Sequence, residues 1–304
     1  MKTDCRRERG VGAFLWKFFA YVIMILFALL AIVPLIWLII NSFKTTVEFR
    51  SNMIGLPHTF YPQNYPGAWK VGNFGVLFWN SVLYTTVSVS VAAFLSLLTG
   101  FAFAKLTRHS TKTMYSIFSL GILLTTQTLM VPLFLQVSQL DALLGGFFGK
   151  LGWCNPNSFH LFYNTRFGVI LVYIGSLLPL GVYLCTDYVR SVPNSLVEAA
   201  LIDGAGYFRI FLSVIIPMCT PILTTIGLLN IPTIWNEFAL INIMVSSMKY
   251  QSLPLGIYKF SGTLSSDYGK EFAALVVGLM PMLIFYLVFR KQITTSVGGG
   301  AIKG

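Results

Sequence analysis

The residues with most capacity for chemistry lie in one polar stretch, 187–209, set between two long apolar runs. Pro193 followed by Asn194 or Ser195 starts a helix there. Ser195 and Glu198, three residues apart, have the spacing of a capping box, in which each side chain satisfies a free backbone N–H. The helix stops at Gly204, so it has only about two turns, too few to be stable alone in water. It also carries Leu196, Val197, Ala199, Ala200, Leu201 and Ile202, too much apolar surface for a solvated loop. Ala199 and Ala200 let another backbone approach closely, Gly204 permits a sharp turn, and Arg209 offers a bidentate donor. The chemistry is recognition: a helix-turn-helix element that docks into another protein's groove. The competing reading is that the helix packs on its own chain's membrane ends and Glu198 is only a cap.

A second set of groups lies inside the apolar runs. Asn80, Gln127, Asn230 and Asn236 are polar and uncharged, and each can hydrogen-bond either a neighbouring helix or a hydroxylated solute. Hydroxylated solutes bind by apolar stacking plus hydroxyl hydrogen bonds, which makes Asn80, Gln127, Trp235 and Asn236 candidates for a solute pathway. No charge interrupts an apolar run except Glu237, near the end of the fifth. Ion-coupled pumps place ionisable groups at mid-membrane, so this pattern argues against ion-driven transport. No catalytic residue is assigned. Cys5, Cys154, Cys185 and Cys219 show no paired spacing, which suggests neither a disulfide framework nor a metal site. The glycine-rich segment 298–304 lacks the phosphate-loop spacing and has no helix after it, so any nucleotide site belongs to another chain.

These groups must be positioned by membrane helices. Of 304 residues, 56% are hydrophobic and 10% charged, against roughly 25% charged in soluble domains. Uncharged runs at 18–40, 71–104, 113–140, 167–186, 210–236 and 272–289 hold 150 residues, and a span needs about 17–25 apolar residues. The fold class expected is therefore an all-α membrane protein of six transmembrane helices, over about 18–40, 78–104, 114–137, 167–186, 213–236 and 272–289. The first run is too long for a cleavable signal core.

Six spans put both ends on one side. That side carries Lys2, Arg6, Arg7, Arg9, Lys17, Lys105, Arg108, Lys112, Arg190, Arg209, Arg290, Lys291 and Lys303; the other carries Lys44, Arg50, Lys70, Lys150, Arg166, Lys249, Lys259 and Lys270. Thirteen against eight places both termini, 1–17 and 290–304, and the 187–212 loop in the cytoplasm. The net charge of +11 then reads as topology and contact with membrane lipid, not as a nucleic-acid footprint. Outside, 51–75 and 141–166 lack helical periodicity and read as ordered loops or short interfacial pieces. Trp69, Phe74, Trp79, Trp153, Phe159 and Tyr163 mark where chain leaves the bilayer. Pro34, Pro132, Pro179, Pro217, Pro221, Pro232 and Pro281 kink the spans.

The order of motifs is specific. Glu198, Ala199 and Ala200, then Asp203, Gly204 and Ala205, then Ile215, Ile216 and Pro217 resemble the EAA loop of binding-protein-dependent ABC importer permeases. Asn41 to Lys44 (Asn-Ser-Phe-Lys), Asn64 with Tyr65, Asn80 with Ser81, and Trp235, Asn236, Glu237 and Phe238 resemble the carbohydrate-uptake branch, which includes the second permease of maltose-type systems. So do Leu253, Pro254, Leu255 and Gly256, and the tail Gly300, Ala301, Ile302, Lys303, Gly304. The resemblance implies a type I ABC importer permease fold in a bacterial inner or plasma membrane, paired with a second homologous permease. It implies a cytoplasmic ATPase dimer that holds ATP and Mg, and an extracytoplasmic solute-binding protein that delivers a sugar. No cofactor belongs to this chain. Glu198 and Gly204 match the coupling helix that such an ATPase pushes. The external segment 138–166 is longer than the family's usual link, with Gly145, Gly146, Phe147 and Phe148 inside it. Other readings weighed against this one are an ion-coupled secondary transporter, a membrane scaffold, and an ABC permease for a non-sugar solute such as a glycerol phosphate.

Overall fold

A computed structural model describes residues 11–106, 109–152, 155, 159–263 and 267–300. Lys2, Cys5, Arg6, Arg7, Arg9, Arg108, Trp153, Cys154, Pro156 and the tail residues Ala301, Ile302, Lys303 and Gly304 lie outside the described residues. Among those described there is no strand. Five helices are long and apolar enough to cross a membrane, and a sixth crossing is formed if one bent pair counts as a single span.

The chain divides into two compact units. The first joins residues 1–70 to 261–277. Helix α1 (Val11–Ser42) is apolar all round, and none of its most apolar window is buried, as expected of a helix solvated by lipid or another chain. Its end is tied down by the two motifs Asn-Ser-Phe-Lys and Asn-Tyr. The Asn64 amide donates to the Ser42 and Lys44 carbonyls, both at 2.8 Å, and the Ser42 and Tyr65 hydroxyls meet at 2.7 Å. Lys44 is fully buried and donates from Nζ to the Asn52 carbonyl, just past α2 (Thr46–Ser51), at 2.7 Å. Burial pulls the Lys44 pKa below its ordinary value, and the nearby Glu48 carboxylate opposes the shift. Gly269 sits so close that a Cβ there would stand 2.5 Å from the Lys44 carbonyl oxygen.

The second unit holds residues 71–260 and 278–304. Helix α3 (Asn64–Val71) leads into it, and its central pair is α4 (Phe74–Lys105) and α7 (Arg166–Ser191). Two glycines let them approach: a Cβ at Gly100 would be 2.8 Å from Cys185 Cβ, and one at Gly181 would be 2.2 Å from Ser96 Oγ. One core cluster gathers Tyr84, Tyr173, Ile234 and Ile241; the other gathers Leu97, Phe101, Cys185, Val197 and Ile210.

Two expected spans differ. The run assigned to 114–137 forms two helices, α5 (His109–Leu120) and α6 (Thr126–Lys150), separated by a 3-10 turn (Gly121–Leu123). Thr125 sets the break, because its Oγ1 accepts the Thr128 N–H and starts α6 anew. Helix α6 then runs through 141–150, expected to be irregular. Asp141, 3% exposed, explains the persistence: its carboxylate accepts the N–H groups of Leu161, Phe162 and Tyr163 and pins the returning chain to the helix.

The fifth run is bent. After α8 (Asn194–Ile202) and α9 (Tyr207–Ile210), a π-helical turn (Phe211–Ile215) and α10 (Ile216–Met218) meet α11 (Thr220–Trp235) at an angle of 70°. Pro217 and Pro221 flank the joint and lack N–H donors. The Thr220 hydroxyl donates to the Pro217 carbonyl at 3.0 Å, so the carbonyl freed at the bend is satisfied within the segment. Helices α12 (Ala239–Met244), α13 (Leu253–Thr263) and α14 (Tyr268–Gly300) complete the chain.

Candidate functional site

The polar loop is built as a helical hairpin on the core. Pro193, with φ −57° and ψ 132°, occupies the N-cap of α8, and no side chain caps it. The expected capping box of Ser195 and Glu198 does not form, because the helix begins at Asn194 and leaves Ser195 inside the first turn. The ammonium of Lys105 holds the entry instead, donating to the Val192 carbonyl and to Asn194 Oδ1, both at 2.6 Å.

The exit of α8 does follow from its sequence. Gly204 takes φ +78°, the Ala205 N–H reaches the Ala200 carbonyl at 2.9 Å, and the Gly204 N–H reaches Leu201 at 3.0 Å. This is a Schellman closure, with glycine at the left-handed position. Ala200 and Ala205 pack on the core cluster beside Val197, so the hairpin rests on its own chain through one narrow face. The opposite face is open: Leu196, Leu201, Tyr207 and Phe208 are exposed, and Ile202 is 86% exposed. Glu198, Ala199, Asp203 and Arg209 are exposed as well, and Glu198, Asp203 and Arg209 form no ion pair among the described residues. A short helix with an unpartnered apolar face rimmed by both signs of charge fits a groove in another protein.

A cavity of about 660 Å³ lies between α6, α7, the outer part of α11 and the start of α12. Gln127 and Asn236 both line it, but Asn80 and Trp235 do not. Asn80 is 2% exposed; its amide donates to the Lys249 and Gln251 carbonyls at 2.9 Å and its oxygen accepts from Arg166 Nε at 3.0 Å. Two of its four hydrogen-bonding positions thus hold a turn to α4 and a third holds the start of α7, which makes it helix glue. Trp235 is buried edge-on against Phe78, beside a separate cavity of about 270 Å³.

Other residues supply what those two lack. Asn230, 6% exposed, faces the large cavity and makes no hydrogen bond among the described residues. The Ser176 and Thr233 hydroxyls donate to the carbonyls of Tyr173 and Leu229, which leaves their oxygens able to accept from a solute. Phe238, 42% exposed, adds an aromatic wall held tilted against Tyr258 at 5.4 Å. The motif Trp235 to Phe238 holds both aromatics, and packing turns Phe238 to this cavity and Trp235 to the smaller one. Among the described residues, no group of three or more His, Cys, Asp or Glu could hold a metal. Cys185 and Cys219 are free and buried.

Membrane-length helices around a cavity of this size, with a hairpin that exposes apolar side chains, define the class of a membrane transport subunit. The chain belongs to the family described as binding-protein-dependent transport system inner membrane component, whose sequence profile matches residues 96–292. It is 32% identical over 279 residues, 92% of this chain and 94% of the other, to a probable starch degradation products transport system permease protein of Thermoanaerobacterium thermosulfurigenes. It is 31% identical over 302 residues, 98% of this chain and all of the other, to a multiple sugar-binding transport system permease protein of Streptococcus mutans. In fold it is similar to a chain of a bacterial ABC transporter involved in import of the acidic polysaccharide alginate, with TM-score 0.75, 21% identity, and coverage of 93% of this chain and 98% of that one. The protein is thus a multi-pass permease subunit with the type I ABC importer fold. It is not an enzyme: it works with a separate ATPase subunit and a solute-binding protein.

Proposed function

We propose that this subunit forms part of the pathway for a sugar or short oligosaccharide, and that the hairpin of α8 and α9 receives the thrust of the ATPase. The observation that carries the solute reading is the cavity itself. Its Gln127, Asn230 and Asn236 amides have no partner among the described residues and face the ring of Phe238. Amides that both donate and accept, beside an aromatic wall, match a solute whose hydroxyls do the same. Relatives named for starch products and multiple sugars support the same class.

The hairpin would sit in a cleft of the ATPase through Leu201, Ile202 and Phe208, with Glu198, Asp203 and Arg209 at the rim. Its motion would pass along the jointed segment 207–235, since α11 carries cavity residues at its far end. In this reading ATP and Mg are held by the ATPase dimer, a second homologous permease completes the pathway, and both termini are cytoplasmic, as the charge asymmetry supports. The experiment is ATP-driven uptake by proteoliposomes containing the whole complex, with Gln127→Ala and Asn230→Ala compared at varied solute concentration. A rise in KM of about tenfold, ~1.4 kcal/mol, is expected for the double variant. Unchanged uptake and selectivity would remove the cavity from the pathway.

A further inference from the structure

Among the described residues Glu237 is the only charged one on the wall of this cavity, and its described hydrogen-bond partners are all donors. Tyr173 gives its hydroxyl to Oε2 at 2.7 Å, the Leu240 N–H reaches Oε1 at 2.6 Å, and the Ile241 N–H reaches Oε2 at 3.3 Å. Three donors converge on the two carboxyl oxygens and fix the side chain at the cavity wall. The side chain stays partly exposed at the cavity wall, and no Lys, Arg or His lines the space. Opposite in character is Asn230, more than nine-tenths buried and aimed into the cavity without a partner.

We propose that this wall selects uncharged hydroxylated solutes and rejects anionic ones such as uronates and sugar phosphates, with Glu237 as the specificity determinant and Asn230 as a hydroxyl-binding group. The inference rests on the reading of this cavity as solute path and goes beyond it by assigning the charge of the cargo. An anion entering here loses water beside a fixed negative charge with no cation in reach, and that repulsion is felt strongly where water is scarce. A neutral hydroxyl loses less and finds an amide that can serve it as donor or acceptor. Discrimination is then built against the wrong solute as much as for the right one. The fold does not set the sign, since the alginate importer of similar fold imports an acidic polysaccharide; the side chains on the wall do.

The test uses the purified complex in lipid nanodiscs without the binding protein, so that only the membrane path selects. Titration calorimetry measures maltotriose and melibiose against the uronates made by oxidising their terminal 6-hydroxyls. The wild-type complex is expected to bind the neutral sugars at least tenfold more tightly, and Glu237→Gln to shrink that ratio by about tenfold. Equal affinity for both forms in the wild type, or an unchanged ratio in Glu237→Gln, overturns the charge filter. If Glu237→Gln fails to assemble, Asn236→Lys places a cation on the same wall and must raise uronate affinity, and no rise overturns the proposal equally. If no sugar of either kind binds, or if Asn230→Leu leaves neutral-sugar affinity unchanged, the cavity is not the solute site and the pathway reading falls with it.

Discussion

Tyr173, on α7, donates its hydroxyl across 2.7 Å to Glu237, just beyond α11, so two of the helices that face the cavity are joined at its wall by a charge-assisted hydrogen bond. Removing the hydroxyl in Tyr173→Phe leaves the carboxylate with its two backbone donors only. The variant should lose about 1.5–3 kcal/mol of stability, read as a lower Tm of the detergent-solubilised complex. An unchanged Tm would mean that water replaces the phenol without cost.

Gly204 occupies the left-handed position that closes α8. Gly204→Val places a β-branched side chain there at a cost of roughly 1–2 kcal/mol, enough to unwind a two-turn helix. ATP-driven uptake should drop by an order of magnitude or more while the permease still reaches the membrane. Uptake at the wild-type rate would sink the coupling role of the hairpin.

Gly100 lies where a Cβ would meet Cys185 Cβ at 2.8 Å and the Thr186 backbone nitrogen at 2.9 Å. Backbone cannot yield as a flexible side chain can, so Gly100→Ala should force α4 and α7 apart and cost about 1–3 kcal/mol. Ser96→Ala removes a buried hydroxyl that has no partner and should be neutral or stabilising. Thermal unfolding of the two variants side by side gives the comparison.

Asp141 anchors three consecutive N–H groups of the chain returning from α6. Asp141→Ala leaves those donors unmet, and residues 159–165 should exchange amide protons much faster while the helical core keeps its protection. Equal exchange in both proteins would show that the carboxylate is not the anchor.

Asp267 gives a pH dependence with a definite sign. Burial alone would raise its pKa, but hydrogen bonds from Lys270 and Thr46 and the Lys270 charge outweigh it and hold the carboxyl below its ordinary 3.8. A carboxyl depressed in the folded state stabilises fully above the ordinary value, and the contribution drains away as pH falls through the lowered one. The Tm of the wild type should therefore fall faster than that of Asp267→Asn as the medium is acidified from pH 5 toward 3. Parallel curves would contradict the assignment.

Much of the helical frame was legible because membrane spans write themselves as uncharged runs. Helices α1, α4, α7 and α14 cover four of those runs. The third run misled because the parts of α5 and α6 inside 113–140 are both free of charge and the break between them depends on the Thr125 cap and on Gly121, whose Cβ would press on Pro179 at 3.0 Å. The end of α8 at Gly204 and its start just after Pro193 were readable from local rules, whereas what caps the start was not. Ser195 and Glu198 have the right spacing, but Pro193 and Lys105 decide where the first turn begins.

By itself the sequence determined a multi-pass membrane subunit, its family, and a short helix with much apolar surface, because apolar run length and ordered motifs are local properties. Only the tertiary structure decided which polar groups face the cavity of about 660 Å³. Asn80, Gln127, Asn230 and Asn236 look alike in sequence, each an amide in apolar surroundings. Asn80 is spent on a turn that lies 169 residues away along the chain, and Asn230 is left without a partner at a cavity wall. An amide's role depends on whether its neighbour in space is a carbonyl or a void, and that is settled only when distant helices pack together.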